Sequence, residues 1–280
     1  MAWTDMTQLT NCYAWYKSES LSSAYANGDP ITSWADSSGN SRHITQSTSA
    51  SQPLAVASAV NGYMVADFDG SNDRLSSGSY TQSGDVVASI VISLDVTKSY
   101  NSVISIEAEA TPSWNNGTST WISLFSRVTG YFSNYIHDGT GFVMYKTDTE
   151  IYAHNTNQYN IITVGLNSKT GFFNENGESL PYGLESKTST NKFISPSSGT
   201  AYIHLGDNGL GKLNGKIAEV VVFDAVNRAC EEAAWVEGYL ADKYSITLPA
   251  GHLFKNEPPA NAPTTYNPSG GGGSQFHPLG

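Results

Sequence analysis

Tight-turn pairs recur along this chain more than any other local signal. Asn-Gly occurs at Asn27-Gly28, Asn61-Gly62, Asn116-Gly117, Asn176-Gly177, Asn208-Gly209 and Asn214-Gly215, and Asp-Gly at Asp69-Gly70 and Asp138-Gly139. Such pairs tolerate positive φ, which two-residue hairpin connections require. A chain interrupted this often is built from short strands.

The segments between the pairs have the matching period. Over 89–97, Ile90, Ile92, Leu94 and Val96 alternate with Val91, Ser93, Asp95 and Thr97. Ile162, Val164 and Leu166 share one face, as do Ala201, Ile203 and Leu205. Over 217–223, Ala218, Val220 and Val222 are expected opposite Ile217, Glu219, Val221 and Phe223. Period-2 alternation with frequent turns predicts an all-β sandwich. One helix is predicted at 227–243, where Ala229, Ala233, Val236 and Leu240 form an apolar stripe behind an Asn227 N-cap. No repeat with a period of 20–50 residues is visible.

Composition narrows the function classes. Only 14% of the 280 residues are charged, while 39% are hydrophobic and 11% aromatic. That is too aromatic for disorder and too poor in helix formers for a long-helix protein. The formal net charge of −11 disfavours nucleic acid and anionic membrane surfaces. No apolar run approaches the ~20 residues of a membrane-spanning helix. The start, Met-Ala-Trp-Thr-Asp, lacks the basic and apolar stretches of a secretory signal, so folding in a cytoplasm is expected. Cys12 and Cys230 are then expected to be reduced thiols. Residues 256–280 are rich in proline and carry a four-glycine run, so they are expected to form an extended arm. The expected organisation is an N-terminal segment 1–8, one sandwich domain 9–255 and the arm 256–280.

Three stretches carry a family resemblance. They are residues 9–34; residues 34–77, which include Trp34-Ala35-Asp36 and Phe68-Asp69-Gly70-Ser71-Asn72-Asp73; and residues 213–252, which include Gly215-Lys216-Ile217-Ala218-Glu219. Together they resemble the laminin-G-like, concanavalin A-like lectin/glucanase superfamily, in particular its members in bacteriophage structural proteins. The resemblance implies a jelly-roll β-sandwich with one C-terminal α-helix, which would cover an open end of the sandwich. It also implies a turn at Gly70 and another at Gly215. Relatives usually place an acidic residue three positions after the helix N-cap. Cys230 stands there in this chain, where it would be able to approach Cys12.

The family's hydrolytic signature, Glu-x-Asp-x-x-Glu on one strand, supplies a carboxylate pair for glycoside cleavage. The nearest match here is Glu107 and Glu109, with Pro112 at the final acid position, so no catalytic residue is assigned and no enzymatic activity is expected. There is no Gly-x-Ser-x-Gly elbow, no phosphate loop and no dinucleotide fingerprint. His43, His137, His154, His204, His252 and His277 are scattered without zinc-ligand spacing. No cofactor is expected beyond a structural calcium, which the resemblance implies at a sandwich edge. Its candidate ligands are Asp36 and Asp224, each with an alternative as a turn or helix-start residue. Sugar binding would use aromatic platforms, and Trp114 and Trp121 in the aromatic-rich stretch 114–160 are the candidates. Trp3, Trp15, Trp34 and Trp235 are expected in the core.

The resulting expectation is a non-enzymatic module of a phage virion. It would be a capsid decoration, head fibre or tail-fibre component, anchored to other virion proteins through 256–280 and packed beside identical copies, with cell-surface glycans as a further ligand. The alternatives are a free lectin-like protein and, less favoured, a polysaccharide hydrolase or lyase.

Overall fold

The computed structural model describes residues 12–255 apart from 84, 95–99, 114–118, 128–130, 139, 149–157, 168–169, 188–197 and 225–228. The first strands are β1 (Cys12–Tyr16), β2 (Ser33–Trp34), β3 (Ile44–Thr45), β4 (Leu54–Val60), β5 (Tyr63–Asp69) and β6 (Leu75–Ser77). The next are β7 (Tyr80–Gln82), β8 (Val86–Leu94), β9 (Tyr100–Glu107), β10 (Ser119–Arg127), β11 (Phe132–Asp138) and β12 (Phe142–Thr147). The last are β13 (Asn160–Asn167), β14 (Thr170–Glu175), β15 (Glu178–Ser179), β16 (Tyr182–Lys187), β17 (Gly199–Leu205) and β18 (Asn214–Asp224). A short helix α1 (Ser18–Ser22) follows β1, and a long one, α2 (Ala229–Tyr244), follows β18.

The strands form two antiparallel sheets. The smaller runs β15-β14-β13-β8-β18-β5-β4, with β1 also on β18. The larger runs β16-β12-β11-β10-β9-β17-β6-β3-β2, with β7 also on β17. Ile90, Ile162, Val164 and Val222 from the smaller sheet join Ile104, Ile203, Leu205 and Trp34 from the larger in one core. This is the all-β sandwich that the alternation predicts. Trp15, Trp34 and Trp235 are buried as expected, and Trp3 lies outside the described residues.

The turn pairs behave unequally. Asn61-Gly62 joins β4 to β5 and Asn176-Gly177 joins β14 to β15, each with both φ angles positive. Asn214-Gly215 does not form the expected turn. Gly215 sits inside β18, where a Cβ would lie 2.4 Å from the Ser93 carbonyl oxygen. A side chain is excluded there by close strand approach, not by backbone conformation.

Helix α2 is also placed differently from expectation. It does not close an open end of the sandwich. It lies on the outer face of the smaller sheet, where Ala233, Val236 and Leu240 pack with Val87, Val91, Ile161 and Val221. The central strands β8, β13 and β18 are therefore buried on both faces, which explains the near-continuous apolar run of β8.

A β-bulge corrects the alternation read for 217–223. Ile217 pairs with Ile92 and Glu219 with Val91, so Ala218 is the extra residue. Ile217, Val220 and Val222 face the inter-sheet core, while Ala218, Val221 and Phe223 face the helix. Cys12 is buried in this helix-side cluster. The Cys230 side chain and the Asn227 cap lie outside the described residues, as does the arm 256–280.

Candidate functional site

Cross-strand partners in a sheet share a face. On the larger sheet, Ser76 pairs with His204, His204 with Ser105, and Ser105 with Ser123, giving a polar row across β6, β17, β9 and β10. The row turns away from Ile203 and Leu205, which enter the core. The His204 ring is buried, with Nε2 3.0 Å from the Glu109 carbonyl oxygen and Nδ1 2.8 Å from the Ser76 hydroxyl. A carbonyl only accepts, so Nε2 carries the proton and Nδ1 accepts from Ser76. Burial lowers the His204 pKa to about 4, which keeps the ring neutral.

Glu107 belongs to the next row, opposite Tyr202 and Thr120. Its Oε1 accepts from the Ser105 hydroxyl at 2.8 Å and its Oε2 from the Ser113 amide at 3.4 Å. Burial raises its pKa to about 7, outweighing both hydrogen bonds. Just beyond β17, Asp207 accepts from the Gly209 amide at 2.8 Å and is ion-paired with Lys212. Asn208 donates to the Ser123 hydroxyl at 3.0 Å and accepts from the Leu210 and Gly211 amides. This turn closes the polar layer against the sheet.

The layer reaches solvent at the Ser76 end. A cleft of about 420 Å³ lies there, lined by Thr32, Thr45, Gln46, Ser47, Gln52, Arg74, Ser76, Ser77 and Ala110. Hydroxyls and amides dominate the walls, and Arg74 is the one charged residue among them. Gln46 braces the cleft from below, donating to the Arg74 carbonyl at 3.3 Å and accepting from the Thr48 amide at 3.0 Å. The Gln52 amide donates to the Gln46 carbonyl at 2.8 Å. Short β2 and β3 bring Thr32 and Thr45 beside Ser76, because Ser33 pairs with Thr45 and Thr45 with Ser76.

The residues singled out from sequence fall elsewhere. Trp121 is fully buried in the inter-sheet core, at an irregularity where β10 slips against β9. The expectation of a solvent-facing stacking platform is corrected there, because the ring presents no face to a ligand. Trp114 lies outside the described residues. Asp36 Oδ1 accepts from the Trp15 and Ser38 amides, and its Oδ2 from the Arg42 amide and the Ser38 hydroxyl, each at 2.9 Å. The calcium expectation thus meets a carboxylate whose acceptor positions are occupied by donors that organise the 36–42 turn. Asp224 ends β18 opposite Val86, and its side chain is outside the described residues. Among the described residues, no group of three or more His, Cys, Asp and Glu side chains is placed to hold a metal ion. No described helix is long and apolar enough to cross a membrane.

Sequence reasoning missed Arg74, Gln46 and Gln52. No motif marks them, because the cleft is assembled from five separate stretches of the chain. The signal within reach was Arg74 itself, one of only 14 basic residues, directly after the Phe68–Asp73 turn.

No family model matches the chain, and no curated protein sequence matches it. Among solved structures it is similar to domain 4 of AbnA, an extracellular arabinanase from Geobacillus stearothermophilus. The two are 14% identical with a TM-score of 0.50, over 76% of this chain and 92% of that one. An arabinofuranosidase is 13% identical over 77% of this chain and 51% of its own, with a TM-score of 0.48. Trypanosoma rangeli sialidase is 10% identical over 79% of this chain and 32% of its own, with a TM-score of 0.44. The chain thus spans about half and a third of those two enzymes. At 14% identity the likeness to the arabinanase domain is one of fold alone.

Proposed function

We propose that this chain is a non-enzymatic carbohydrate-binding module that takes its ligand in the cleft at Ser76. The observation that carries the reading is the lining. Side-chain hydroxyls and amides both donate and accept, which matches a polyhydroxylated ligand. The arabinanase domain of similar fold was solved with arabinotriose; for the present chain the reading rests on the cleft. The non-enzymatic part rests on the carboxyl groups of the polar layer. Glu107 and Asp207 are both buried, so neither stands open to a glycosidic bond.

A glycan array followed by calorimetry tests the proposal. Binding is expected for the wild-type chain and lost in Thr45→Trp, which fills the cleft from its exposed rim. Binding that survives Thr45→Trp, or no binding to any glycan, overturns it. Release of reducing ends or unsaturated sugars from a polysaccharide overturns the non-enzymatic part.

The proposed setting is a phage virion, with 256–280 as the anchor to capsid or tail proteins. It is supported by the sequence resemblance and by a low-charge surface, which packs beside identical copies or sugars with little desolvation cost. Deleting 256–280 is expected to abolish incorporation into particles. Normal assembly of the shortened chain overturns the anchor.

A further inference from the structure

We infer that the cleft at Ser76 selects saccharides bearing a carboxylate, with the Arg74 guanidinium as its anion anchor. The inference rests on the carbohydrate reading of this cleft and adds the ligand class. Arg74 is held at its backbone, while its head is only loosely engaged. Its amide donates to the Ser51 carbonyl at 3.1 Å, and its carbonyl accepts from Gln46 Nε2 at 3.3 Å. Among the described residues the guanidinium makes no hydrogen bond. Its one ion-pair contact among those residues is Asp207 Oδ2 at 3.8 Å, beyond hydrogen-bond reach.

That contact does not consume the charge. Asp207 is already held by the Lys212 ammonium and the Gly209 amide. Its single negative charge is matched by Lys212, leaving Arg74 as the surplus cation. The Arg74 side chain is 35% exposed, and it lines a cleft whose other walls are neutral. The chain as a whole carries −11, a field that repels anions. A local cation with unused donors is therefore what an acidic ligand needs and what a neutral one does not. A planar guanidinium fork fits a carboxylate through two parallel N–H···O bonds, a geometry that a point charge cannot reproduce.

The test is an array of carboxylated glycans printed beside their methyl esters and sulfated counterparts, followed by calorimetry on the best acid–ester pair. The wild-type chain is expected to bind the acid roughly tenfold more tightly than the ester, the scale of one charge-assisted contact. Raising the salt should weaken the acid and not the ester. Arg74→Gln should abolish the preference, bringing the acid down to the affinity of the ester, in a protein that still unfolds cooperatively. Arg74→Lys should retain only part of it. Equal binding of acid and ester overturns the inference and leaves the carbohydrate reading standing. A preference that persists in Arg74→Gln also overturns it, as does sulfate bound as tightly as carboxylate. No binding to any member overturns both.

Discussion

The Trp15 indole donates to the Glu219 carboxylate at 2.6 Å, joining residues 204 positions apart. Glu219 is fully buried. It also accepts from the Tyr239 and Tyr244 hydroxyls, each at 2.7 Å, and from the Lys243 ammonium at 2.5 Å. Four donors from β1 and α2 thus converge on the residue placed by the bulge at Ala218. Lys243 is itself buried, pairs with Glu19 at 2.7 Å and lies over the rings of Tyr63, Tyr239 and Tyr244. The carboxylate thereby ties α2 to β18 and β1 through side-chain hydrogen bonds.

Replacing Glu219 should therefore cost more than loss of one contact. Glu219→Ala leaves the Lys243 charge buried with only the half-exposed Glu19, and a loss of about 3–5 kcal/mol is expected in urea unfolding. Glu219→Gln keeps the shape and should lose less. Glu219→Ala combined with Lys243→Met should recover part of the loss, because the stranded cation is gone.

Trp121→Ala should destabilise by about 3–5 kcal/mol, the usual range for emptying a buried aromatic site. Trp121→Phe should leave glycan affinity unchanged, since the ring never faces the cleft. Reduced affinity in a folded Trp121→Phe protein would contradict the buried placement.

The pH dependence has two limbs of opposite sign. Glu107 and Glu175 are raised by burial from 4.5 to about 7. Each binds its proton more tightly when folded, so stability falls as pH rises from 4.5 through 7, by on the order of 3 kcal/mol for Glu107 and by less for Glu175, where solvent screens the carboxyl more. His204 is lowered from 6.5 to about 4. It stays neutral when folded, so stability falls as pH drops from 6.5 to 4. Glu107→Gln should remove much of the alkaline limb, seen as a smaller difference in melting temperature between pH 5 and pH 8.

Gly215→Ala should destabilise by roughly 1–3 kcal/mol, the cost of forcing an atom into packed structure. The collision is with backbone, the Ser93 carbonyl in the adjoining strand, so no side-chain rotation relieves it. A neutral effect in denaturant unfolding would show that β8 and β18 are further apart.

The buried faces of β13 and β17 were legible from spacing, because a strand with one face in the core must alternate. The helix was legible from its stripe, but not its location. The same stripe fits an open end or a sheet face, and only the apolar outer sides of β8, β13 and β18 decide between them. Asp36 was legible as a polar turn residue, with metal binding as a second role its sequence allowed. Its four donors come from residues 15, 38 and 42, a convergence that only the folded turn displays. Trp121 was misplaced because an aromatic in a polar stretch looks exposed, while a slip in strand register turned the ring inward.

By itself, the sequence determined the strand period, the turn-rich connections and hence an all-β sandwich with one C-terminal helix. Those follow from local preferences and hydrophobic alternation, which act within a few residues. The tertiary structure decided the bulge at Ala218, the burial of Glu219 and the cleft around Arg74. Each depends on groups far apart in the chain meeting across strands, and no local pattern encodes which strands become neighbours.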